Sequence, residues 1–337
     1  MTDLLVAGAG PAGLATAIHA ARAGLEVTVV ERRPGPIDKA CGEGLMPHTL
    51  RHLDTLGINP HGKPFRGITY LDRTRRVEAR FPDGAGRGVR RTVLSEALHD
   101  AAAGAGVRIV RGDIRDIEQD ANTVRCNGFT ARYLAAADGL HSPIRRQLGL
   151  DRPSERGRRW GIRRHFQTAP WSDTVEVYWA EHTEAYVTPV ADDCVGVAIL
   201  TSRQGGFDEH LRAFPALANR LAGAEYGPAR AAGPLRQRAS SQHLGRVMLV
   251  GDAAGYVDAL TGEGLGIALG GAGILVDCVL ADDATDYSRQ WRRMSRRYRV
   301  MTAALLAATN SPARSMLVPA AATMPRVFNQ AVKLLAQ

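Results

Sequence analysis

Apolar positions along this chain switch between a strand period and a helix period. Asp3-Leu4-Leu5-Val6-Ala7 is a short continuous apolar run of the kind a buried strand shows. A glycine-broken turn follows, then an alanine-rich helical stretch to about Ala23, which Gly24 ends; residues 26–31 form a second strand pattern. The spacing predicts a strand–helix–strand unit at the start of the chain. Residues 92–104 place Val93, Leu94, Ala97 and Leu98 on one helical face. Val107 to Val110, the stretch from Ile114 to Val124, and Tyr133 to Ala137 read as strands, the last running into Asp138-Gly139.

From about residue 160 to 200 the pattern shortens. Residues 175–179, 185–187 and 195–199 are short β runs separated by turns, expected to form an antiparallel sheet inserted into the first domain. Residues 247–250 return to the buried-strand pattern, and a long helix follows. After about 286 the chain reads as helical, with Pro312, Pro319 and Pro325 as breaks. The fold class is α/β: a discontinuous nucleotide-binding domain (1–155 and 240–285), an inserted β-sheet domain for substrate (156–239), and carboxy-terminal helices (286–337).

Composition narrows the class. Of 337 residues, 45% are hydrophobic and 23% charged, ordinary for a globular chain and too polar for long membrane spans. The run from Leu4 to Ala21 lacks a basic start and is interrupted by three glycines, so it reads as strand, turn and helix rather than a signal peptide. Four dispersed cysteines form no CxxC pair, so a reduced, cytoplasmic setting is expected, with no metal site. The net charge of +9 rests almost wholly on arginine, since Lys39, Lys63 and Lys333 are the only lysines. Even the six arginines between 289 and 299 are interleaved with Trp291, Met294 and Tyr298 at helical spacing, which gives a helix with a basic outer face. No nucleic-acid partner is expected.

The chemistry is carried by glycines and carboxylates. In Gly8-Ala9-Gly10-Pro11-Ala12-Gly13 the first glycine permits the turn, the second permits a close phosphate, and the third lets helix pack on strand. The helix N-terminus then offers free N–H groups and a positive dipole. Glu31, with Arg32 beside it, ends the second strand 18 residues after Gly13, where a carboxylate can accept from a ribose. Gly251-Asp252 follows a buried strand and precedes Thr261-Gly262-Glu263-Gly264-Leu265, whose amides suit the anionic edge of a reduced flavin, while Asp252 suits ribityl hydroxyls. Each Gly-Asp pair, Asp138-Gly139 included, also reads as an ordinary turn or helix cap.

Together these segments resemble the glutathione-reductase-like FAD superfamily. The chain is most similar to the geranylgeranyl reductase branch, beside the para-hydroxybenzoate hydroxylase type and the flavin-dependent halogenases. The resemblance covers roughly residues 3 to 280 and implies a Rossmann-type FAD-binding domain. It implies that Arg91 faces the FAD phosphates, that Ile114 lies by the adenine, and that Asp138 and Asp252 take the family's two aspartate positions. Cys41-Gly42-Glu43-Gly44-Leu45 resembles the Cys-Gly segment that passes the flavin in those reductases. Cys41 reads as a space-filler beside the flavin rather than a reactive thiol, although Lys39 is a nearby cation. Glu43 reads either as a proton donor near the flavin or as a solvent-facing loop acid, and His48 as a capping or packing residue. Tyr178, Trp179, Tyr186 and Pro189 mark the substrate sheet.

No second glycine turn follows a later strand, so NAD(P)H would visit transiently or a separate electron-donor protein would supply electrons. The resemblance implies two reactions. One is a monooxygenase hydroxylating or epoxidising a small lipophilic terpenoid, polyketide or aromatic substrate through a flavin C4a-hydroperoxide. The other is saturation of isoprenoid alkenes. A redox-neutral flavin-dependent cyclase is a third. The oxygenase leads narrowly, because the reductases' Tyr-x-Trp-x-Phe-Pro sheet motif is replaced here by Tyr186-Val187-Thr188-Pro189 and little chain remains to wrap a long lipid. The carboxy-terminal apolar face (Val327, Phe328, Ala331, Val332, Leu334, Leu335) suits packing on the domain, with peripheral membrane contact as the alternative.

Overall fold

The computed structural model describes residues 1–82, 84–153 and 158–336. Its central element is a sheet whose parallel strands run in the order Val247–Leu249, Phe129–Ala136, Thr2–Ala7, Val27–Glu31, Arg108–Arg111. Leu4, Leu5, Val6 and Val29 are at most 1% exposed, as expected of parallel strands buried on both faces, which leave no polar side. Helix Pro11–Arg22 starts directly after the glycine turn, with proline at its first position, and packs between the sheet and the glycine-rich helix Gly264–Leu280. Gly24, at φ +83, ends the first helix as expected.

The second sheet runs Glu225–Tyr226, Trp160–Gln167, Cys194–Thr201, Thr183–Pro189, Val175–Trp179, Gly67–Leu71, Arg76–Arg80. Strand Cys194–Thr201 is buried along its whole length because both faces are covered. Val195, Val197 and Ile199 pack under Phe207, Phe214 and Leu217, while Ala198 and Leu200 face an internal cleft. Two features depart from the sequence expectation. Residues 67–71 and 76–80, assigned by sequence to the first domain, are strands of this second sheet. The sheet is also mixed, since 67–71 pairs in parallel with 175–179. Their mixed Arg, Thr and Tyr composition hid the alternation, and the pairing spans about a hundred residues of chain. The expected boundary at 155/156 lies outside the described residues.

Most of the stretch 114–124 is loop, with short strands only at Glu118–Gln119 and Val124–Cys126. The carboxy-terminal part is helical over Tyr287–Thr309, Leu317–Thr323 and Pro325–Ala336. Pro325 starts a helix, but Pro319 sits inside one, in the first turn, where its missing N–H costs no hydrogen bond. Phe328, Val332 and Leu335 bury against Met46, Phe65 and Phe81, whereas Val327 is 62% exposed. No helix among the described residues is long and apolar enough to cross a membrane.

Candidate functional site

The glycine turn, the 41–45 loop, the 251–265 segment and the inner face of the second sheet surround one cleft. Each glycine of the turn has a separate reason. Gly8 has φ +108, and a Cβ there would lie 2.6 Å from the Ala137 carbonyl oxygen. At Gly13 a Cβ would lie 1.9 Å from the Gly8 carbonyl oxygen, so helix and strand can only meet through a glycine. Gly10 differs: its φ of −76 suits any residue, and a Cβ would meet no protein atom within 4 Å. It lines the cleft with Pro11 and Ala12, so only something filling the cleft requires glycine there.

Glu31 is buried at the end of its strand and holds the turn in shape. Its Oε2 accepts from the Ala9 N–H at 2.8 Å and its Oε1 from the Arg33 N–H at 2.9 Å. Each oxygen keeps a lone pair for a ribose hydroxyl. Arg32 is exposed and off the cleft wall, and Ile114 is buried in the core of the first sheet. Asp138 also lies off the wall. Its Oδ2 accepts from the Ile144 N–H at 3.0 Å and so caps the following helix, leaving Oδ1 buried without a partner. The contacts of Asp138 are those of a helix cap.

Arg91 opens helix Arg91–Gly104 on the cleft wall, and its buried Nε has no hydrogen-bond partner. An unpaired buried guanidinium N–H is costly unless an anion meets it. Lys39 and Asp252 share this wall. Burial pushes the Lys39 ammonium down and the Asp252 carboxyl up, while Lys39, Arg91 and Arg145 pull Asp252 back toward ionisation. Lys39 was named in the sequence only as a neighbour of Cys41. Its rarity in an arginine-biased chain was the one signal for it.

The 41–45 loop is clamped from the second sheet. Thr188 Oγ1 donates to the Gly42 carbonyl at 2.8 Å. Glu43, at φ +60, is 2% exposed; its Oε1 accepts from the Arg91 N–H at 2.9 Å, and its Oε2 lies 2.6 Å from His165 Nε2. Glu43 is therefore not a solvent-facing acid. It is a buried clamp joining the loop, the Arg91 helix and the second sheet, and its partners His165 and Arg163, more than a hundred residues away, were not visible in sequence. Burial raises the Cys41 thiol despite nearby Arg91, which disfavours a thiolate and agrees with a filling role.

On the opposite wall Gly262 (φ +71), Gly264 and Leu265 flank the N-terminus of helix Gly264–Leu280. Gly251, at φ +64, also lines the cleft, and a Cβ there would press on Ala12 at 2.7 Å. His48 stacks on Tyr298 with ring centroids 5.2 Å apart, so it packs as expected.

The substrate-sheet residues divide by strand parity. Val177, Tyr186 and Ala198 are register partners in adjacent strands and all face the cleft. Tyr186 donates its hydroxyl to the Leu260 carbonyl at 3.1 Å. Tyr178 points to the other face and donates to Glu176 Oε2 at 2.7 Å. Trp179 is on the same side as Val177 but is buried against Tyr70 beside the cleft and does not line it, and Pro189 lies off the wall at the strand end, where its carbonyl approaches Gly88. Of the four, the structure brings only Tyr186 to the cleft.

Gly10, Gly42 and Gly262 all line the cleft, and at each a Cβ would face open space. Together with the unpartnered Arg91 Nε, they fit a phosphate-bearing ligand held against bare backbone. Comparison with known proteins gives the same answer. The chain is 29% identical over 332 residues to menaquinone reductase of Mycolicibacterium smegmatis, covering 86% of this chain and 79% of that protein. It is 30% identical over 304 residues to digeranylgeranylglycerophospholipid reductase 1 of Methanothermobacter thermautotrophicus, covering 78% and 73%. Among solved structures it is similar to the flavin-dependent brominase Bmp2, with a TM-score of 0.82, 17% identity and coverage of 99% and 93%. Residues 1–277 match the FAD binding domain family, and the chain therefore belongs to that family of FAD-dependent oxidoreductases.

Proposed function

We propose that this protein is an FAD-dependent reductase that saturates a carbon–carbon double bond in an apolar, isoprenoid-like substrate. The observation that carries the reading is the apolar end of the cleft. Phe65, Ile68, Val175, Val177, Leu200 and Leu335 line it, the last from the carboxy-terminal helix. The carboxylates of the second sheet are engaged elsewhere: Glu176 points to the far face, and Glu184, on the same side of its strand as Tyr186, is fully buried in ion pairs. Glu184 pairs with Arg159 and with Arg314 (2.7 Å), and Glu176 with Arg76 (2.6 Å) and Trp171 (2.8 Å). Such a wall holds a hydrocarbon mainly by burial, with the hydroxyl-bearing rings of Tyr70 and Tyr186 beside it.

Reduced FAD, when bound, would supply a hydride, and a proton drawn from solvent would complete the two-hydrogen gain. This chain binds and orients the substrate and keeps water from the reacting carbons. NAD(P)H or an electron-donor protein is the proposed source of electrons. Sequence alone leaned toward oxygenation. The apolar chamber and the long matches to two proteins named as reductases move the balance. The carboxy-terminal helix contributes Leu335 to the chamber wall.

The test is anaerobic. Chemically reduced holoprotein is mixed with menaquinone or with a geranylgeranyl-bearing lipid, and the product is weighed. The proposal predicts flavin reoxidation and a product gain of two hydrogens. In a parallel run with air admitted, product formed only there, with the gain of an oxygen atom, supports the monooxygenase. Conversion without consumption of reducing equivalents supports the cyclase.

A further inference from the structure

Between the cleft-lining Gly262 and Gly264, the side chain of Glu263 turns inward. It is 3% exposed, and its Oε2 lies 2.8 Å from Nε2 of His48, itself 4% exposed. His48 belongs to helix Pro47–Thr55, which follows directly on the 41–45 loop. The pair is thus a buried link between two glycine-bearing segments of the cleft wall. Gly266 makes room for it, since a Cβ there would lie 2.3 Å from His48 Nε2. His48 Nδ1 and both Glu263 oxygens are buried without a well-aligned hydrogen bond, so the 2.8 Å approach of Oε2 to Nε2 is an ion-pair contact. Neither side chain lines the cleft.

The surroundings define the pair's charge. Thr49 Oγ1 lies 3.2 Å from His48 Nε2 on the same helix, and His52 follows one turn later. From helix Tyr287–Thr309, the Tyr298 ring stacks on His48 and Arg297 acts on Glu263. Arg51 acts on Tyr298. Burial holds the Glu263 carboxyl above the usual carboxylate range, with His48 and Arg297 pulling it back. A buried site of this kind favours a net-neutral pair that shares one proton.

We propose that His48 and Glu263 are positioning residues that set the reduction potential of the flavin held in the cleft. While the pair keeps its proton it is neutral. When the proton is released to solvent, one negative charge remains behind the helix N-terminus that lines the cleft. That charge opposes the helix dipole and disfavours the electron-rich, reduced flavin. The inference rests on bound FAD and not on which substrate is reduced.

The experiment measures the reduction potential of the bound flavin against reference dyes, without substrate, from about pH 5 to 9, a range that brackets histidine titration. Wild-type, H48Q, E263Q and double-variant holoproteins are compared, with melting temperature and FAD affinity alongside. H48Q removes the partner that pulls the Glu263 carboxyl back, so it is expected to displace the pH at which the extra alkaline fall of the wild type sets in and to change the potential within that window by ~30 mV, a tenfold change in preference for reduced over oxidised flavin in a two-electron couple. E263Q is expected to abolish the extra alkaline fall of the wild type, and the double variant to follow E263Q. Wild-type potentials at every pH in both single variants, with only melting temperature changed, would overturn the proposal. If H48Q does not fold, E263Q decides alone: an unaltered pH profile overturns it. A wild-type protein that binds no FAD removes the flavin assignment itself and this inference with it.

Discussion

Replacing Gly10 by alanine separates the fold's needs from the ligand's. The backbone at Gly10 (φ −76, ψ 176) is open to any residue, and the new methyl would meet no protein atom within 4 Å. Two small effects act on the ligand-free chain. A less flexible unfolded state stabilises by ~0.4–1 kcal/mol. Loss of glycine at the helix N-cap costs a comparable amount, ~0.5–1 kcal/mol. They nearly cancel, so the melting temperature of the ligand-free chain should move by no more than about 2 °C. Bound FAD experiences something else. The methyl stands in the cleft on the turn where phosphate meets bare backbone, an overpacking of ~1–3 kcal/mol. FAD affinity should fall about five- to hundredfold. Fluorescence titration of the ligand-free protein measures this, with a melting curve as control. Unchanged FAD affinity would refute the placement of the ligand against Gly10; collapse of the ligand-free fold would refute the claim that the fold leaves this position open.

Gly13→Ala should do the reverse and destabilise the ligand-free chain by ~1–3 kcal/mol in a melting or denaturant experiment, because its Cβ would lie 1.9 Å from the Gly8 carbonyl oxygen. Arg91→Gln should weaken FAD binding by ~1.5–3 kcal/mol and reduce the salt dependence of that binding, since it removes a charge whose buried Nε has no protein partner. Asp258 governs part of the pH dependence of stability: burial lifts its carboxyl to about 6 from an ordinary 3.8. The folded chain keeps a proton that the unfolded chain has released, so this group's contribution falls as pH rises from 3.8 through about 6 and is level above. Asp258→Asn should flatten that fall, by no more than ~3 kcal/mol across the window, in urea titrations at several pH values. Arg159 keeps Glu184 as its partner in that variant.

Local features of the candidate site were legible in sequence and distant ones were not. The turn at 8–13, the strand ending at Glu31 and the Gly262–Gly264 segment each occupy a few adjacent residues, so their spacing alone carried their geometry. Parity shows that Tyr178 and its neighbour Trp179 face opposite sides of a strand, but not which side meets the cleft; the register with Ala185 and Tyr186 decides it. Arg32 drew a cofactor role from its place beside Glu31, yet side chains alternate at a strand end, and Glu31 turns in while Arg32 turns out. The Glu43–His165 and His48–Glu263 contacts join residues 122 and 215 positions apart, and no local pattern announces such a pair.

The central claim is that one cleft holds one FAD against the glycine turn, Arg91 and the Gly262–Gly264 amides. Titration of the purified, flavin-stripped protein with FAD, followed by absorbance and calorimetry, tests it most directly. The account predicts a yellow holoprotein saturating at one FAD per chain, with a raised melting temperature. A chain that stays colourless and melts unchanged in excess FAD would contradict it.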